Sequence, residues 1–375
     1  MSNFRKTFID GQKGLNLGLN TGLKSLDKAI HGLQKKTSIG VAAQPKVGKT
    51  TFVDFAFLVS PYLQMLKENR LNDIEWIYYS YEVDRVSKEF KIAAMFMYID
   101  FGVFDFKYKG VTYLMSQDYL MGKLEHTNPD ETRELIPLTE EHNNMLKEIY
   151  INRIIPIFGE YDEDNKKIKH GKIHFIQDPD NPTGMDKYLK AYAEKHGKFN
   201  YEEYTIIDDS GARVKKKRVA SYVENNPKKF TIVIVDHLRK LRKERGYNTK
   251  ENMDKWLEYN TWIRNMCYFT IINICHSNRQ LANMDRLKYA GEFIFPTADD
   301  VKDTGNLAEE STILMTLFNP NDEKYNLTKH FGIELESYPN YRSLHITESR
   351  YTECPVHIQL SMYGNVNYFT PLITT

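Results

Sequence analysis

The chain has 375 residues, of which 41% are hydrophobic and 27% charged, so it is long and apolar enough to bury a sizeable core. Its formal net charge of +1 excludes a global electrostatic attraction to nucleic acids or membranes, and binding of a polyanion would need local basic segments. Three cysteines without metal-ligand spacing, and the lack of an apolar run of about 18 residues, predict a cytoplasmic protein with no membrane partner.

Strand-like and helix-like runs alternate along the chain. The strand-like runs are residues 37–43, 76–81, 173–176, 230–235, 269–274, 312–317 and 343–347. The helix-like runs are residues 51–66, 84–98, 139–151, 184–196 and 250–267. Because the strand-like runs are apolar on both faces, they predict an α/β fold with a mainly parallel, twisted sheet that helices flank on each side. Residues 1–19 are interpreted as a tail or linker and residues 20–375 as one domain.

Two segments, near 157–172 and 198–222, are predicted to be β-hairpin insertions. In each, short apolar runs flank a polar turn, at 162–165 and at 208–211. The basic run Lys215–Arg218 lies on the far arm of the second hairpin. It is interpreted as a solvated strand edge, because lysines commonly protect exposed edges, and contact with a nucleic-acid backbone is the alternative.

The octapeptide at residues 43–50 fits the phosphate-binding P-loop pattern of a small residue, four free positions and then Gly-Lys-Thr. Gly48 lets the backbone curl around phosphate oxygens, Lys49 reaches the β- and γ-phosphates, and the Thr50 hydroxyl is a ligand for Mg²⁺. A strand-like run precedes the motif and a helix-like run follows it, which is the setting a P-loop requires. The sequence therefore predicts binding of ATP and Mg²⁺. The predicted nucleotide-binding residues are Ala43, Gln44, Pro45, Lys46, Val47, Gly48, Lys49, Thr50 and Thr51.

Polar side chains end three other predicted strands. Asp236 follows an apolar run and fits the Walker B carboxylate, which holds Mg²⁺. Glu82 stands at the tip of the strand-like run 76–81, where a carboxylate can polarise the attacking water. Because the carboxyl ends of parallel strands meet at one crevice, Glu82 is expected near the γ-phosphate. His276 begins a polar cluster, residues 276–279, and is interpreted as a sensor of the γ-phosphate, with a satisfied strand-end histidine as the alternative.

In these motifs and their order, the sequence resembles the C-terminal RecA-like ATPase domain of DnaB-type replicative hexameric helicases, from about residue 15 to residue 370. The segments that carry the resemblance are Asn20–Asp27, Gly32–Gln34, Ala42–Phe52, Ser80–Glu82, Asp236–Leu238, Cys275–Arg279, Asp300–Leu307 and Glu348–Arg350. The resemblance implies a RecA-like P-loop fold and ATP hydrolysis with Glu82 as the catalytic base. It also implies a homohexamer in which Arg350 reaches the ATP site of the neighbouring subunit, with single-stranded DNA and a primase or loader protein as partners.

The sequence departs from the family pattern at four points. His237 stands where the family has the tyrosine of an Asp-Tyr-Leu motif. His276 stands where the family has glutamine, and Glu348 stands where it has the lysine of a Lys-x-Arg motif. The family's N-terminal collar domain has no counterpart ahead of residue 20, so ring assembly is expected to need DNA, ATP or a partner protein.

In the family, two loops that face the central channel of the ring hold single-stranded DNA. Such basic loops bind phosphates without reading sequence, which makes binding salt-dependent, and a solvated surface loop is the alternative. The loop after Asp236 offers the cations Arg239, Lys240, Arg242, Lys243, Arg245 and Lys250. The second loop, residues 280–299, offers Arg286 and Lys288.

The main functional hypothesis is a DnaB-like helicase subunit, an ATP-dependent motor on single-stranded DNA. One alternative is an ATP-gated DNA-binding switch with little turnover, such as a helicase loader or recombination mediator. Glu348 favours this alternative, whereas Glu82 and Arg350 oppose it, because a switch needs no carboxylate that activates water. Another alternative is a RecA-type recombinase, which shares the fold and would catalyse strand exchange.

Overall fold

The computed structural model describes residues 3–12, 17–162, 164, 166–207, 211–278, 284–301 and 306–373. Some residues used in the sequence-based predictions lie outside these ranges, namely the turn residues Glu163, Asn165 and 208–210, residues 279–283 of the predicted sensor cluster and second loop, and residues 302–305. No helix of the described ranges is long and apolar enough to cross a membrane.

The described residues contain each of the predicted strands and helices, with ends that differ by up to three residues, except that the helix predicted at 139–151 continues through a π-helical turn to Phe158. The strands are β1 (Ser38–Ala43), β2 (Ile74–Ser80), β3 (Asp105–Tyr108), β4 (Val111–Leu114), β5 (Glu125–Thr127), β6 (Arg133–Leu135), β7 (Gly159–Tyr161), β8 (Lys167–His170), β9 (Ile173–Ile176), β10 (Gly197–Ile207), β11 (Arg213–Glu224), β12 (Phe230–Asp236), β13 (Thr270–His276), β14 (Ile313–Phe318), β15 (Lys329–His330), β16 (Ile333–Glu334), β17 (Tyr341–Ser349), β18 (Val356–Tyr363) and β19 (Tyr368–Pro371). The helices are α1 (Asn3–Gln12), α2 (Lys24–Ile30), α3 (Lys49–Asp54), α4 (Ser60–Lys67), α5 (Arg85–Phe101), α6 (Gln117–Leu120), α7 (Glu140–Ile149), α8 (Ile155–Phe158), α9 (Pro182–His196), α10 (Thr249–Cys267), α11 (Met284–Ala290) and α12 (Asn306–Glu310). The π-helical turns Phe55–Val59 and Tyr150–Ile154 join α3 to α4 and α7 to α8.

The central sheet has the strand order β19-β18-β17-β14-β1-β13-β12-β2-β9. The strands from β14 to β9 are parallel, and β17, β18 and β19 continue the sheet in antiparallel fashion. This confirms the predicted mainly parallel sheet. Strands β18 and β19 were not predicted, because several of their residues are only half-buried and they carry a weaker apolar signal than the parallel strands.

Two apolar cores cover the two faces of the sheet. In β12, Ile232 and Ile234 pack into the core formed with α2 to α5, whereas Val233 and Val235 pack into the core formed with α9 and α10. Successive strand side chains point to opposite faces, so a strand buried on both faces must be apolar at every position. This explains why the parallel strands read as continuous apolar runs in the sequence.

Both predicted hairpins form, as β7–β8 and β10–β11. The base of the longer hairpin is anchored by the buried Phe199 and Tyr222, whose rings lie 4.9 Å apart. Its basic run lies on β11, where Arg218 donates to Glu202 at 2.5 Å across the strands. Further hairpins between residues 105 and 135, β3–β4 and β5–β6, were not predicted, because their strands are only three or four residues long and mostly exposed.

Candidate nucleotide site

The P-loop occupies residues 44–48 between β1 and α3, as the motif predicts. Gly48 begins the helix with a φ of 107°, a backbone conformation that side chains with a β-carbon rarely adopt. A β-carbon at this position would also lie 2.5 Å from the Met362 sulfur on β18. Glycine is therefore favoured at this position by the backbone angle, and any larger residue would also have to displace the flexible end of the Met362 side chain.

Thr50 and Asp236 meet directly. The Thr50 hydroxyl donates a hydrogen bond of 2.9 Å to Asp236 Oδ2, at the end of β12. Asp236 is 1% exposed, and this burial raises the pKa of its carboxyl group, while the charge of Lys88 acts in the opposite direction. A hydroxyl and a carboxylate are hard oxygen donors of the kind that Mg²⁺ prefers, so these residues fit the predicted ion.

Lys49, the first residue of α3, and His276, the last residue of β13, also come together. Lys49 Nζ lies 3.0 Å from His276 Nδ1 and donates to the backbone oxygen of Gln44 at 3.3 Å. Burial, together with the charge of Lys49, lowers the pKa of His276 to about 4. His276 is therefore neutral near pH 7, and its Nδ1 can accept a hydrogen bond from the Lys49 ammonium group.

Glu82 lies beside His237, a residue to which the sequence analysis gave no role of its own. Glu82 Oε1 is 3.2 Å from His237 Nε2, and Arg239 N–H donates to His237 Nδ1 at 3.2 Å. Because Nδ1 accepts a hydrogen bond, the ring proton is on Nε2, which donates to Glu82. Burial lowers the pKa of His237 to about 4, so this neutral tautomer persists near pH 7. The Asp236–His237 peptide bond is cis.

Two cations that the sequence analysis missed contact the P-loop. Lys324 Nζ donates to Gln44 Oε1 at 2.5 Å, and Arg342 Nε donates to the backbone oxygen of Val47 at 3.3 Å. Both belong to the C-terminal third of the chain. Nothing local in the sequence distinguishes them from other surface cations, because their position depends on the strand pairing of β14 with β17.

A buried ion pair links the P-loop helix to α5, the helix that follows Glu82. Lys88 Nζ donates to Asp54 Oδ2 at 2.8 Å and to the Tyr78 hydroxyl at 2.9 Å, and Tyr78 in turn donates to Asp54 Oδ1 at 2.9 Å. The side chains of Lys88 and Asp54 are 0% and 3% exposed. The three groups satisfy one another, which fixes α3, β2 and α5 together beneath the candidate site.

Arg350 lies at the opposite end of the sheet from the P-loop. Ser349 pairs with Ile313 at the start of β14, and Arg350 N–H donates to the Thr312 oxygen at 3.0 Å. The P-loop follows the other end of β1, and a strand of this length separates the two places by about 20 Å. An arginine side chain cannot bridge that distance, so Arg350 could contribute to ATP hydrolysis only at the site of another subunit.

The basic loop after β12 is held by well-defined contacts. Leu241 is buried, Arg242 N–H donates to the Asp180 oxygen at 3.0 Å, and Glu244 accepts from Lys255 at 2.5 Å. The cations around these anchors are exposed. They are Arg239, Lys240, Arg242, Lys243, Arg245 and Lys250. A loop fixed by a buried leucine, a backbone N–H and an acidic side chain thus presents several positive charges at the same sheet edge as Asp236.

The two cations of the second loop differ in their surroundings. Arg286 donates to the buried Asp300 at 2.7 Å and to the Phe295 oxygen at 2.9 Å. Lys288 is exposed, and the neighbouring Tyr289 is 93% exposed. Within the described part of this loop, Lys288 and Tyr289 are therefore better placed than Arg286 to meet a ligand.

The family model of the DnaB-like helicase C terminal domain matches residues 18–97, which include the P-loop, β2 and Glu82. The resemblance is confirmed there. No curated protein matches the sequence.

Two solved structures share the fold along nearly the whole chain. One is the structure of a DnaB-like replicative helicase and its interactions with primase. It is 14% identical to this chain with a TM-score of 0.60, and the match covers 96% of this chain and 64% of that chain. The other is the ATPase domain of G40P, at 14% identity and a TM-score of 0.60, covering 99% of this chain and 96% of that chain. The chain thus spans 64% of the length of the first structure. These likenesses show the fold, which is RecA-like, as predicted.

Proposed function

We propose that this chain is a DnaB-like helicase subunit, a motor that uses ATP to move on single-stranded DNA. The observation that carries the proposal is the meeting of phosphate-binding, acidic and imidazole side chains at one crevice beyond the ends of β1, β2, β12 and β13. These side chains are Lys49, Thr50, Glu82, Asp236 and His276. ATP is the proposed substrate, and Thr50 and Asp236 are the proposed ligands of Mg²⁺.

Each of these groups has a task in hydrolysis. Lys49, which lies 3.0 Å from His276, turns its ammonium group to the β- and γ-phosphate oxygens and balances their charge. Glu82 orients the attacking water and takes up its proton, while the N–H of His237 holds the carboxylate in place. Bound Mg²⁺ would supply further charge stabilisation on the phosphate oxygens.

The state of the nucleotide reaches the second loop through a chain of hydrogen bonds. Lys49 contacts His276, and the strand that ends at His276 continues to Asn278, whose N–H donates to the Asp300 oxygen at 2.7 Å. Asp300 in turn holds Arg286 on α11. When Lys49 moves to a phosphate, it gives up its contact with His276. The contacts from His276 through Asn278 and Asp300 then carry this change to the loop proposed to hold DNA. In this proposal Arg286 connects Asp300 to α11 within the protein, instead of contacting DNA.

The proposed assembly is a homo-oligomer, a hexamer by the DnaB likeness, with ATP at the subunit interfaces. The distance of about 20 Å between Arg350 and the P-loop of its own chain supports this arrangement. A primase or loader protein is part of the proposal on the DnaB likeness alone.

One observation favours the alternative of an ATP-gated DNA-binding switch. Glu348, which replaces the family's lysine, is exposed on β17 two residues before Arg350. A carboxylate near the neighbour's phosphates would weaken the stabilisation that Arg350 provides. The switch requires tight ATP binding with negligible hydrolysis, which separates it from the motor.

The experiment that tests the motor is ATP hydrolysis by the full chain with and without single-stranded DNA. We expect DNA to stimulate turnover and Lys49→Ala to lower kcat/KM by at least about 100-fold, since the lysine balances phosphate charge in the transition state. Lys67→Ala, at the exposed last residue of α4, is the matched control. Full activity of Lys49→Ala would refute the site, and ATP binding without DNA-stimulated turnover would favour the switch.

The proposed role of the basic loop is tested by the salt dependence of DNA binding. Replacing three of its cations with alanine should lower the slope of log K against log salt concentration by about 2, at about 0.7 for each lost phosphate contact on single-stranded DNA. The cations are Arg242, Lys243 and Arg245. The matched control removes the same number of charges from the hairpin strand β11, at Lys215, Lys216 and Lys217. An unchanged slope in the loop variant, or an equal change in the hairpin variant, would contradict DNA binding by this loop.

A further inference from the structure

Three metal-ligating side chains meet at the point where the γ-phosphate is proposed to lie. A ring nitrogen of His237, a ring nitrogen of His276 and a carboxylate oxygen of Glu82 all lie within 4.8 Å of one another. The two imidazole rings are 4.4 Å apart, centroid to centroid, at an interplanar angle of 80°. The DnaB-type pattern has tyrosine and glutamine where this chain has His237 and His276, so the cluster is a feature of this sequence.

The donor set differs from that of the Mg²⁺ ligands beside it. Thr50 and Asp236 offer oxygen atoms, which suit hard ions such as Mg²⁺. Two imidazoles and one carboxylate are instead the set that holds zinc in several hydrolases, with a fourth position left open. Imidazole ligands also suit Co²⁺, Ni²⁺ and Cu²⁺, whose affinities for nitrogen ligands exceed that of Mn²⁺. The cluster is therefore selective for transition metals over Mg²⁺.

The geometry is close to what such an ion requires. With metal–ligand distances of about 2.0–2.2 Å, the ligand atoms of a tetrahedral site lie about 3.4 Å apart. His237 Nε2 and Glu82 Oε1 are already 3.2 Å apart. The side chain of Glu82 is 39% exposed and lies just beyond the end of β2, so it can move to close the remaining distance to His276.

Two features of the site limit the affinity. The His237 Nε2 proton, which now points at Glu82, must move to Nδ1, at the cost of the 3.2 Å hydrogen bond from Arg239 N–H. The ammonium group of Lys49, 3.0 Å from His276 Nδ1, repels a second cation. On the other side, the three ligand atoms already lie within 4.8 Å of one another, so binding needs only a small rearrangement. A reversible site is expected from this balance.

We propose that Glu82, His237 and His276 bind a divalent transition-metal ion of the zinc class, and that the bound ion blocks ATP turnover by occupying the Glu82 carboxylate. The binding part stands on the cluster itself. The inhibition part rests on the proposed function, because it requires Glu82 to be the group that activates water.

The test is a titration of the nucleotide-free full chain with Co²⁺, followed through its visible d–d absorption and reversed by Zn²⁺. All proteins carry Cys354→Ser, which removes the exposed thiol. We expect His237→Tyr and His276→Gln, which restore the family residues, to weaken Co²⁺ binding by more than about 100-fold, since loss of even an outer-shell partner costs about 10–100-fold. His170→Gln, at an exposed histidine on β8, is the matched control and should bind as the parent does.

Lys49→Met provides a variant with the opposite expectation, because it removes the repelling charge and should tighten Co²⁺ binding. Absence of a tetrahedral Co²⁺ spectrum, or equal affinity in the parent and both histidine variants, would overturn the site. The inhibition part predicts that Zn²⁺ lowers the Mg²⁺-supported ATPase activity of the parent far more than that of His276→Gln, and equal inhibition would overturn it. Co²⁺ binding in a chain that shows no ATPase activity would leave the metal site standing and reject the motor instead.

Discussion

Replacing Glu82 with glutamine (Glu82→Gln) is expected to lower kcat for ATP hydrolysis by about 10²–10⁴-fold while ATP binding is retained. The amide keeps an oxygen that can accept the hydrogen bond from His237 Nε2, now 3.2 Å long, so the side chain should stay in place. It cannot take up a proton from the attacking water, and only the chemical step should suffer. The measurement is kcat from steady-state hydrolysis, together with the affinity for a fluorescent ATP analogue.

The matched control for this substitution is Glu194→Gln, on the exposed side of α9. It replaces the same carboxylate by the same amide outside the site and should leave both kcat and ATP affinity unchanged. If Glu82→Gln retained the turnover of the parent, another group would have to activate water and the assignment of Glu82 would be wrong. If it instead lost ATP binding, the carboxylate would serve to hold the nucleotide.

Replacing Lys88 with methionine (Lys88→Met) is expected to destabilise the protein by about 3–5 kcal/mol, because it leaves the Asp54 carboxylate buried without a counter-charge. In the native protein Asp54 accepts hydrogen bonds from Lys88 and Tyr78, and all three groups are buried. The hydroxyl of Tyr78 alone cannot balance the charge. The measurement is the midpoint of urea unfolding without nucleotide, with the slope of the transition as a check for two-state behaviour.

A double substitution, Lys88→Met with Asp54→Leu, separates the charge from the packing. It removes both charges and should recover most of the lost stability, since apolar replacements of a buried pair are often neutral. The matched control is Lys329→Met, because Lys329 pairs with Glu334 on the surface with exposed fractions of 52% and 56%, and its loss should leave the unfolding midpoint nearly unchanged. Equal destabilisation at positions 88 and 329 would mean that the buried Lys88–Asp54 pair contributes no more to the free energy of unfolding than the exposed Lys329–Glu334 pair.

Much of the fold followed from signals that are local in the sequence. The parallel strands were predictable because each is buried on both faces and must be apolar throughout, as in β1, where all six residues are buried. The P-loop was predictable because Gly48, Lys49 and Thr50 act through the backbone and side chains of one continuous segment. The positions of Asp236 and Glu82 were predictable because each comes at or just after the end of a strand-like run, and the carboxyl ends of parallel strands meet at one edge.

Other features depended on which strands pair and on what packs against them. His237 had no role in the sequence analysis, and its position beside Glu82 and His276 arises because β2, β12 and β13 end at the same edge. Lys324 and Arg342 reach the P-loop because the antiparallel strands fold back onto the sheet. Arg286 reads as a cation for DNA in the sequence, yet it contacts Asp300 in the structure.

The sequence by itself determined the parallel core, the P-loop and the two strand-end carboxylates, since each is written in consecutive residues whose burial or backbone geometry allows few alternatives. The tertiary structure alone decided the surroundings of these groups. It brought together the imidazoles of His237 and His276, and it paired Lys88 with Asp54 in the core. It also placed Arg350 far from the P-loop of its own chain. Such contacts join residues that are far apart in the chain, and their distances follow from strand order and register, which a single sequence does not specify.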